Sequence, residues 1–320
     1  MTHHDTEVGH LDIIHELLLD EAAIAEQINK LKEERNAVIL VHNYQRPEVQ
    51  DIADFTGDSL GLSREAARTN ADVIVFCGVH FMAETAYILS PEKTVLLPEV
   101  RAGCPMADMA DAADVVKAKA ANPGAVVVSY VNTSAAVKAV SDYCCTSANA
   151  VGIVQSVEGD LILFVPDRNL AAYVASKVDK EIIPWDGFCP THERITADHI
   201  KRALEQHPAA EVIAHPECRT EVLEVAHHVR STSGMLTAAL ESPASEFIVA
   251  TESGMLYPLS NAVPDKRFYS PSEEPLCPNM KLTTLSKVLW ALQTLEPKIT
   301  VPEEIRVRAL KSVERMLALG

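Results

Sequence analysis

The same landmarks come round three times in this chain, in the same order. A short apolar run ends in a polar triplet: "VHNY" at 41–44, "SYVN" at 129–132 and "AHPE" at 214–217. A helix-like segment and a hydroxyl-rich turn follow each one, "GDSL" at 57–60, "CTSA" at 145–148 and "STSG" at 231–234. The step is 17 residues each time, from His42 to Ser59, Tyr130 to Ser147 and His215 to Thr232. Each stretch then closes on a Cys-Pro pair, Cys104–Pro105, Cys189–Pro190 and Cys277–Pro278, at 45, 42 and 45 residues past the hydroxyl. Self-similarity of this kind marks a repeated structural unit, here of about 85 residues.

The apolar runs say what the unit is made of. Those at 37–41, 72–76, 94–98, 125–131, 161–165, 181–185, 211–215 and 246–250 alternate with helical patterns. Strand–helix alternation predicts α/β architecture with parallel sheets. The expected fold is three homologous three-layer α/β/α domains around a pseudo-threefold axis, with a central active site. An N-terminal helical segment (1–36) packs on the core, with apolar spacing through Ile13, Ile14, Leu17, Leu18, Ile24, Ile28 and Leu31. The units run 37–122, 123–208 and 209–320, the last including an amphipathic helix starting at Pro302 and the first open to contact with it.

Composition narrows the function classes. There are 320 residues, and 28 basic against 45 acidic side chains give a formal charge of −17. With no Lys/Arg-dense stretch, a nucleic-acid or anionic-membrane surface is excluded. No apolar run matches a membrane span and the N-terminus lacks a signal-peptide core, so a cytoplasmic protein is expected. His3 and His4 are too few for a metal tract. Seven cysteines, an odd count in a reducing compartment, argue against a disulfide framework.

Ligands of parallel α/β sheets gather beyond the C-terminal strand ends, so the triplets and cysteines are expected around one cavity. Proline suits the first helical position, and a cysteine capping that helix feels its positive end, which favours the thiolate. Three thiolates leave one coordination position open, which suits either zinc or a [4Fe–4S] cluster with a free iron. The absence of a fourth ligand in register favours the cluster. His192, at C-x-x-H spacing from Cys189, is the rival zinc ligand, but the matching positions are Ala107 and Met280. A neighbouring or substrate-facing role suits it better. Cys77 in "VIVFCG", the adjacent Cys144 and Cys145 at a helix end, and Cys218 read as packing residues.

Ser59, Ser147 and Thr232 are expected as helix N-caps facing the cavity, which would also make them anion positions. The triplets supply His42, Tyr44, Tyr130, Asn132, His215 and Glu217. Together these offer the acids, bases and carboxylate donors that carbonyl and dehydration chemistry uses.

The stretches "VHNYQRPEVQDIADFTGDSL", "GCPMADM", "SYVNTSAAVKAVSDYCCTSAN", "PDRNLAAYVA", "PWDGFCPTHER", "AHPECRTEVLEVAHHVRSTSGM" and "CPNMKLTTL" together resemble the quinolinate synthase (NadA) family, over roughly residues 12–318. The resemblance implies three α/β domains around one site and a [4Fe–4S] cluster on Cys104, Cys189 and Cys277. It implies condensation of iminoaspartate with dihydroxyacetone phosphate to quinolinate, with loss of phosphate and water, in NAD biosynthesis. The open iron would act as a Lewis acid, and an L-aspartate oxidase would supply iminoaspartate. By position, His42, Ser59, Tyr130, Asn132, Ser147, His215, Glu217 and Thr232 would bind substrate. Tyr44, Tyr130, His215 and Glu217 would be catalytic. A subset of the family has C-x-x-C-x-x-C near the third ligand; Glu274 stands there instead, so no regulatory disulfide is available. A diphthamide-synthesis subunit shares the three-cysteine architecture, and the strand-end triplets favour the quinolinate reading over it.

Replacing Cys104, Cys189 or Cys277 by Ser is expected to abolish an intact cluster, whereas Cys77→Ser leaves it. Iron and acid-labile sulfide after anaerobic purification report this; equal loss in Cys77→Ser would show the register to be wrong.

Overall fold

In the computed structural model, which describes residues 20–273 and 275–319, twelve strands form three sheets of four, all parallel. A helix α1 (Glu21–Glu34), capped by Asp20, precedes them. The first sheet is built from β1 (Ala37–His42), α2 (Pro47–Asp51), β2 (Phe55–Gly57), α3 (Ser59–Arg68), β3 (Val73–Cys77), α4 (His80–Leu89) and β4 (Thr94–Leu96). After α5 (Ala112–Ala121), the second has β5 (Val126–Tyr130), α6 (Ala135–Val140), β6 (Tyr143–Cys145), α7 (Ala150–Ser156), β7 (Leu161–Val165), α8 (Arg168–Ala175) and β8 (Glu181–Pro184). Helices α9 (Pro190–Glu193) and α10 (Ala197–Gln206) lead to the third. It comprises β9 (Glu211–Ala214), α11 (Thr220–Glu224), β10 (His228–Val229), α12 (Thr232–Glu241), β11 (Glu246–Ala250), α13 (Leu256–Ala262) and β12 (Arg267–Tyr269). The chain ends with α14 (Leu285–Thr294) and α15 (Glu303–Ala318).

Every sheet has the same order, second–first–third–fourth strand. The detail repeats as well. The backbone N–H of Ile39 is accepted by Asp54, that of Val127 by Asp142 and that of Val212 by His227. Lys93, Lys180 and Lys266 each stand just before the fourth strand and donate to carbonyls at the turn preceding the third.

Both faces of each sheet are covered, because alternate strand residues point opposite ways. In the first sheet Val38, Leu40, Ile74 and Phe76 face the α3–α4 side, while Ile39, Val41 and Val75 pack against α1 and α14. The expected runs all appear as strands. Four strands went unpredicted: β2, β6, β10 and β12, each only two or three residues long, too short for a periodic signal. Cys144 and Cys145 lie in one of them, not at a helix end. Ile13, Ile14, Leu17, Leu18, His3, His4 and Glu274 lie outside the described residues.

The closing helices follow the third sheet in the chain but pack elsewhere. Leu285, Val288, Leu289 and Leu292 of α14 join Ile24 and Ile28 of α1 on the first sheet. Residues 297–299 then bond antiparallel along the β4 edge, through Leu97 N–H to Pro297 and Ile299 N–H to Val95. Such cover removes an exposed sheet edge. Helix α15 crosses to the second unit, where Ser312 bonds the Lys138 carbonyl and Asn149 bonds the Met316 carbonyl. No helix among the described residues is long and apolar enough to cross a membrane.

Leu289 in α14 and Leu40, on the opposite face of the first sheet, are both fully buried. Leu289→Ala is expected to cost about 2–5 kcal/mol, as much as Leu40→Ala. Chemical denaturation measures both, and a cost for Leu289→Ala under about 1 kcal/mol would show α14 to be peripheral.

Candidate active site

All twelve residues singled out from the repeat line one cavity, which takes side chains from all three units. They are His42, Tyr44, Ser59, Cys104, Tyr130, Asn132, Ser147, Cys189, His215, Glu217, Thr232 and Cys277. The parallel sheets explain this, since each landmark leaves a strand or starts a helix at the C-terminal edge. His42 is the last residue of β1, Tyr130 the last of β5, and His215 follows β9 directly.

His42 and His215 are held alike. The Nδ1 of His42 accepts the Tyr44 N–H at 3.1 Å and that of His215 accepts the Glu217 N–H at 3.3 Å. In the neutral ring this leaves the proton on Nε2. Burial pushes both imidazoles down to about 3, against the opposing pull of Glu217. His215 thereby donates from Nε2 to Ser147 Oγ at 3.2 Å.

Glu217 is 3% exposed yet carries a charge. Burial alone would raise its carboxyl, but His192 and the hydrogen bonds from His192 and Tyr130 outweigh that and bring it down to about 2. Its closest partner is His192 Nδ1 at 2.7 Å. The ring of His192 stacks on that of His215, with centroids 4.7 Å apart. Its Nε2 lies 2.8 Å from Thr251 Oγ1, which sits 2.6 Å from the Tyr44 hydroxyl. Tyr44, Thr251, His192, Glu217 and Tyr130 thus form one buried polar chain across the units. Burial, with the Glu217 charge close by, raises both tyrosines well above the usual phenol range.

The hydroxyl landmarks are not the helix caps they were expected to be. Asp58 caps α3 and Ser231 caps α12, each accepting the N–H three residues on, which places Ser59 and Thr232 at the first helical position. Ser147 lies two residues before the α7 N-cap, Asn149. At Ser59 and Thr232 the true cap is one residue earlier, because two cap-forming side chains stand side by side; at Ser147 it is two residues later. Thr232 Oγ1 accepts from Asn43 Nδ2 of the first unit at 2.8 Å, just as Ser147 meets His215 of the third. Asn132 Oδ1 is buried in the cavity wall without a hydrogen-bond partner among the described residues, an acceptor costly to leave unpaired.

The cysteines fit a shared metal group. Cys104, Cys189 and Cys277 are half-buried, while Cys77, Cys144, Cys145 and Cys218 are buried in packing. Only Cys189 caps an α-helix; Cys104 and Cys277 precede 3₁₀ turns that start three residues later. Nevertheless each sulfur receives the backbone N–H three residues on, from Ala107, His192 and Met280 respectively. Burial raises the thiol of Cys104 to about 12 and those of the other two upward, with Cys277 close enough to add to the rise at Cys104 and Cys104 to that at Cys189. Three converging thiols that resist ionising alone are a donor set suited to a cationic centre. A smaller group also stands out: the donor atoms of Cys189, His192 and Glu217 lie within 4.8 Å of one another.

The repeat contained one further landmark. Twenty residues past each hydroxyl stand Val79, Asp167 and Glu252, each two beyond the third strand of its sheet. Asp167 and Glu252 are almost fully buried, and Val79 and Glu252 line the cavity. Thr251 carried no signal in the sequence; its role comes from contacts across units.

A family model described as "Quinolinate synthetase A protein" matches residues 26–318. The chain is 57% identical over 301 residues to the quinolinate synthase of Methanosarcina barkeri, covering 94% of this chain and 99% of that one. It is 58% identical over 294 residues to the quinolinate synthase of Desulforudis audaxviator, with 92% and 97% covered. To that of Geobacter metallireducens it is 57% identical over 296 residues, again with 92% and 97% covered.

The buried histidines set a pH dependence of stability. Between about pH 6.5 and 3 the unfolded chain holds protons that folded His42 and His215 do not. Stability is therefore full above about 6.5 and falls as the pH drops, by up to about 1.4 kcal/mol per unit per histidine. Glu217, depressed from 4.5 to about 2, adds loss of the same sign below about 4.5. Urea denaturation from pH 7 to pH 4 should show this slope, and H42N/H215N should flatten it. A wild-type profile flat over this range would refute neutral burial.

Proposed function

The chain belongs to the quinolinate synthetase A family, and from that footing we propose that it is a quinolinate synthase of NAD biosynthesis. It condenses iminoaspartate with dihydroxyacetone phosphate to quinolinate, with loss of phosphate and water. The observation that carries this reading is the single cavity into which three repeats deliver a thiol, a hydroxyl and a strand-end polar group each. Cys104, Cys189 and Cys277 would hold a [4Fe–4S] cluster, which when bound supplies a Lewis-acid iron with an open position.

The chain's own residues do the rest. Ser59 and Thr232, at helix N-termini, with Ser147, bind the carboxylates and the phosphate, where unpaired N–H groups and the helix dipole favour negative charge. Asn132 offers its unpartnered amide oxygen to a substrate donor. His42 and His215 stay neutral; His42 donates from Nε2 to a substrate oxygen, and His215 does so by exchanging its bond to Ser147 for one to substrate. Glu217, ionised beside carbon acids, is the general base, and the Tyr130 hydroxyl bonded to it hands the proton on. Tyr44, kept protonated by burial and held by Thr251, serves as a hydrogen-bond donor near the reacting centre. An L-aspartate oxidase is the expected source of iminoaspartate, and the family's chemistry suits a cytoplasmic enzyme. On this reading the repeats sit around a pseudo-threefold axis, with domains at 37–122, 123–208 and 209–320, the closing helices of the last reaching back onto the first two.

The Cys189–His192–Glu217 group favours a second reading, a single zinc ion in a protein without turnover. Metal analysis separates the two. The expected outcome is iron with acid-labile sulfide and quinolinate formation under anaerobic conditions from dihydroxyacetone phosphate and freshly generated iminoaspartate. Stoichiometric zinc without sulfide would favour the second reading, and no product from cluster-replete protein would overturn the first.

A further inference from the structure

Glu252 is 1% exposed, and its carboxylate accepts from two stretches of backbone while its partner Lys281 reaches a third. Oε1 accepts the Cys277 N–H at 3.0 Å and Oε2 accepts the Gly254 N–H at 2.7 Å. Lys281 Nζ stands 3.0 Å from Oε1 and also donates to the Tyr44 carbonyl. The crossing is too tight for any side chain at Gly254. A Cβ there would lie 2.7 Å from Glu252 Oε2 and from Lys281 Nζ, and 2.9 Å from the Tyr44 carbonyl carbon.

The neighbour of Glu252 completes the grip, since Thr251 holds the Tyr44 hydroxyl at 2.6 Å. Tyr44 is therefore fixed at its hydroxyl by Thr251 and at its carbonyl by Lys281, while Cys277 is fixed at its N–H by Glu252. A buried charge needs its partner, so neither Glu252 nor Lys281 has a comparable alternative within the fold. The second unit has a related arrangement. Asp167, at the equivalent step, caps α8 through the N–H groups of Asn169 and Leu170 and lies in electrostatic reach of the Cys189 N–H. In the first unit Val79 occupies the place.

We propose that the buried Glu252–Lys281 pair is a positioning device. It locks the third cysteine loop to the Tyr44 segment, so that a cluster ligand from one unit and a reacting-centre tyrosine from another keep a fixed separation. This rests on the quinolinate synthase reading for its catalytic consequence, though not for its geometry. Residues that orient metal ligands in this way typically change activity about 10–100-fold when replaced. Neither side chain is assigned to contact substrate.

The test uses the full chain with E252Q, K281M and E252Q/K281M, the last leaving no charge buried alone. In cluster-free protein, amide hydrogen exchange is followed by mass spectrometry over the segments containing Cys104, Cys189 and Cys277. The Cys277 and Gly254 amides should exchange at least about tenfold faster in the double variant, with the other two cysteine segments within about twofold. After reconstitution, iron and sulfide should still load, kcat should fall at least about tenfold and the KM values stay within about twofold. Equal change in all three cysteine segments, unchanged exchange at Cys277, or a rise in KM with kcat intact would overturn the proposal. So would failure of the charge-free double variant to fold, since the pair would then serve stability alone. Inactive wild-type protein would count against the function, while the exchange result would still judge the pair.

Discussion

A charged carboxylate, Glu217, sits almost fully buried in the cavity wall, and much of the cavity is arranged around that fact. Desolvation would drive it to protonate; His192 at 2.7 Å and the Tyr130 hydroxyl keep it ionised. Such a group is tolerable only when every neighbour is placed to pair with it. His192 can turn one nitrogen to Glu217 only because Thr251 takes the other, and Thr251 in turn holds Tyr44. The cost of a buried charge is thus turned into order at the cavity wall, before any ligand arrives.

That order depends on how the units meet. Thr232 of the third accepts from Asn43 of the first, and Ser147 of the second from His215 of the third. Such contacts join loops, and loops alone would not hold the three units in place. The closing helices supply the missing stiffness: α14 buries leucines against the first sheet, and α15 spans from the first unit, where Arg306 bonds the Ile88 carbonyl, to the second at Asp142 and Asn149. A chain that returns to its beginning in this way closes the arrangement of the units.

Much of this was legible beforehand because its causes are local. A strand of β-branched and leucine residues ends where polar residues begin, so "VHNY", "SYVN" and "AHPE" marked strand ends regardless of what surrounded them. The short edge strands were not legible: "YCC" and "HV" are strands only because β5 and β9 lie alongside to bond them. Cap identity also failed by one residue, since Asp58–Ser59 and Ser231–Thr232 offer two cap-formers each and packing chooses between them. In spacing, His192 is an outlier to the repeat. Its place at the hub comes from Glu217 and Thr251, 25 and 59 residues further along.

The sequence by itself determined the repeated α/β unit, the strand-end groups and the three Cys-Pro closures, because periodicity and turn chemistry act over a few residues. Only the tertiary structure decided which landmarks touch. It paired His215 with Ser147, handed Glu217 to His192 and Tyr130, and set Glu252 behind Cys277. These are contacts between residues far apart in the chain. They are chosen by the need of each buried polar group for a partner, which no local pattern records.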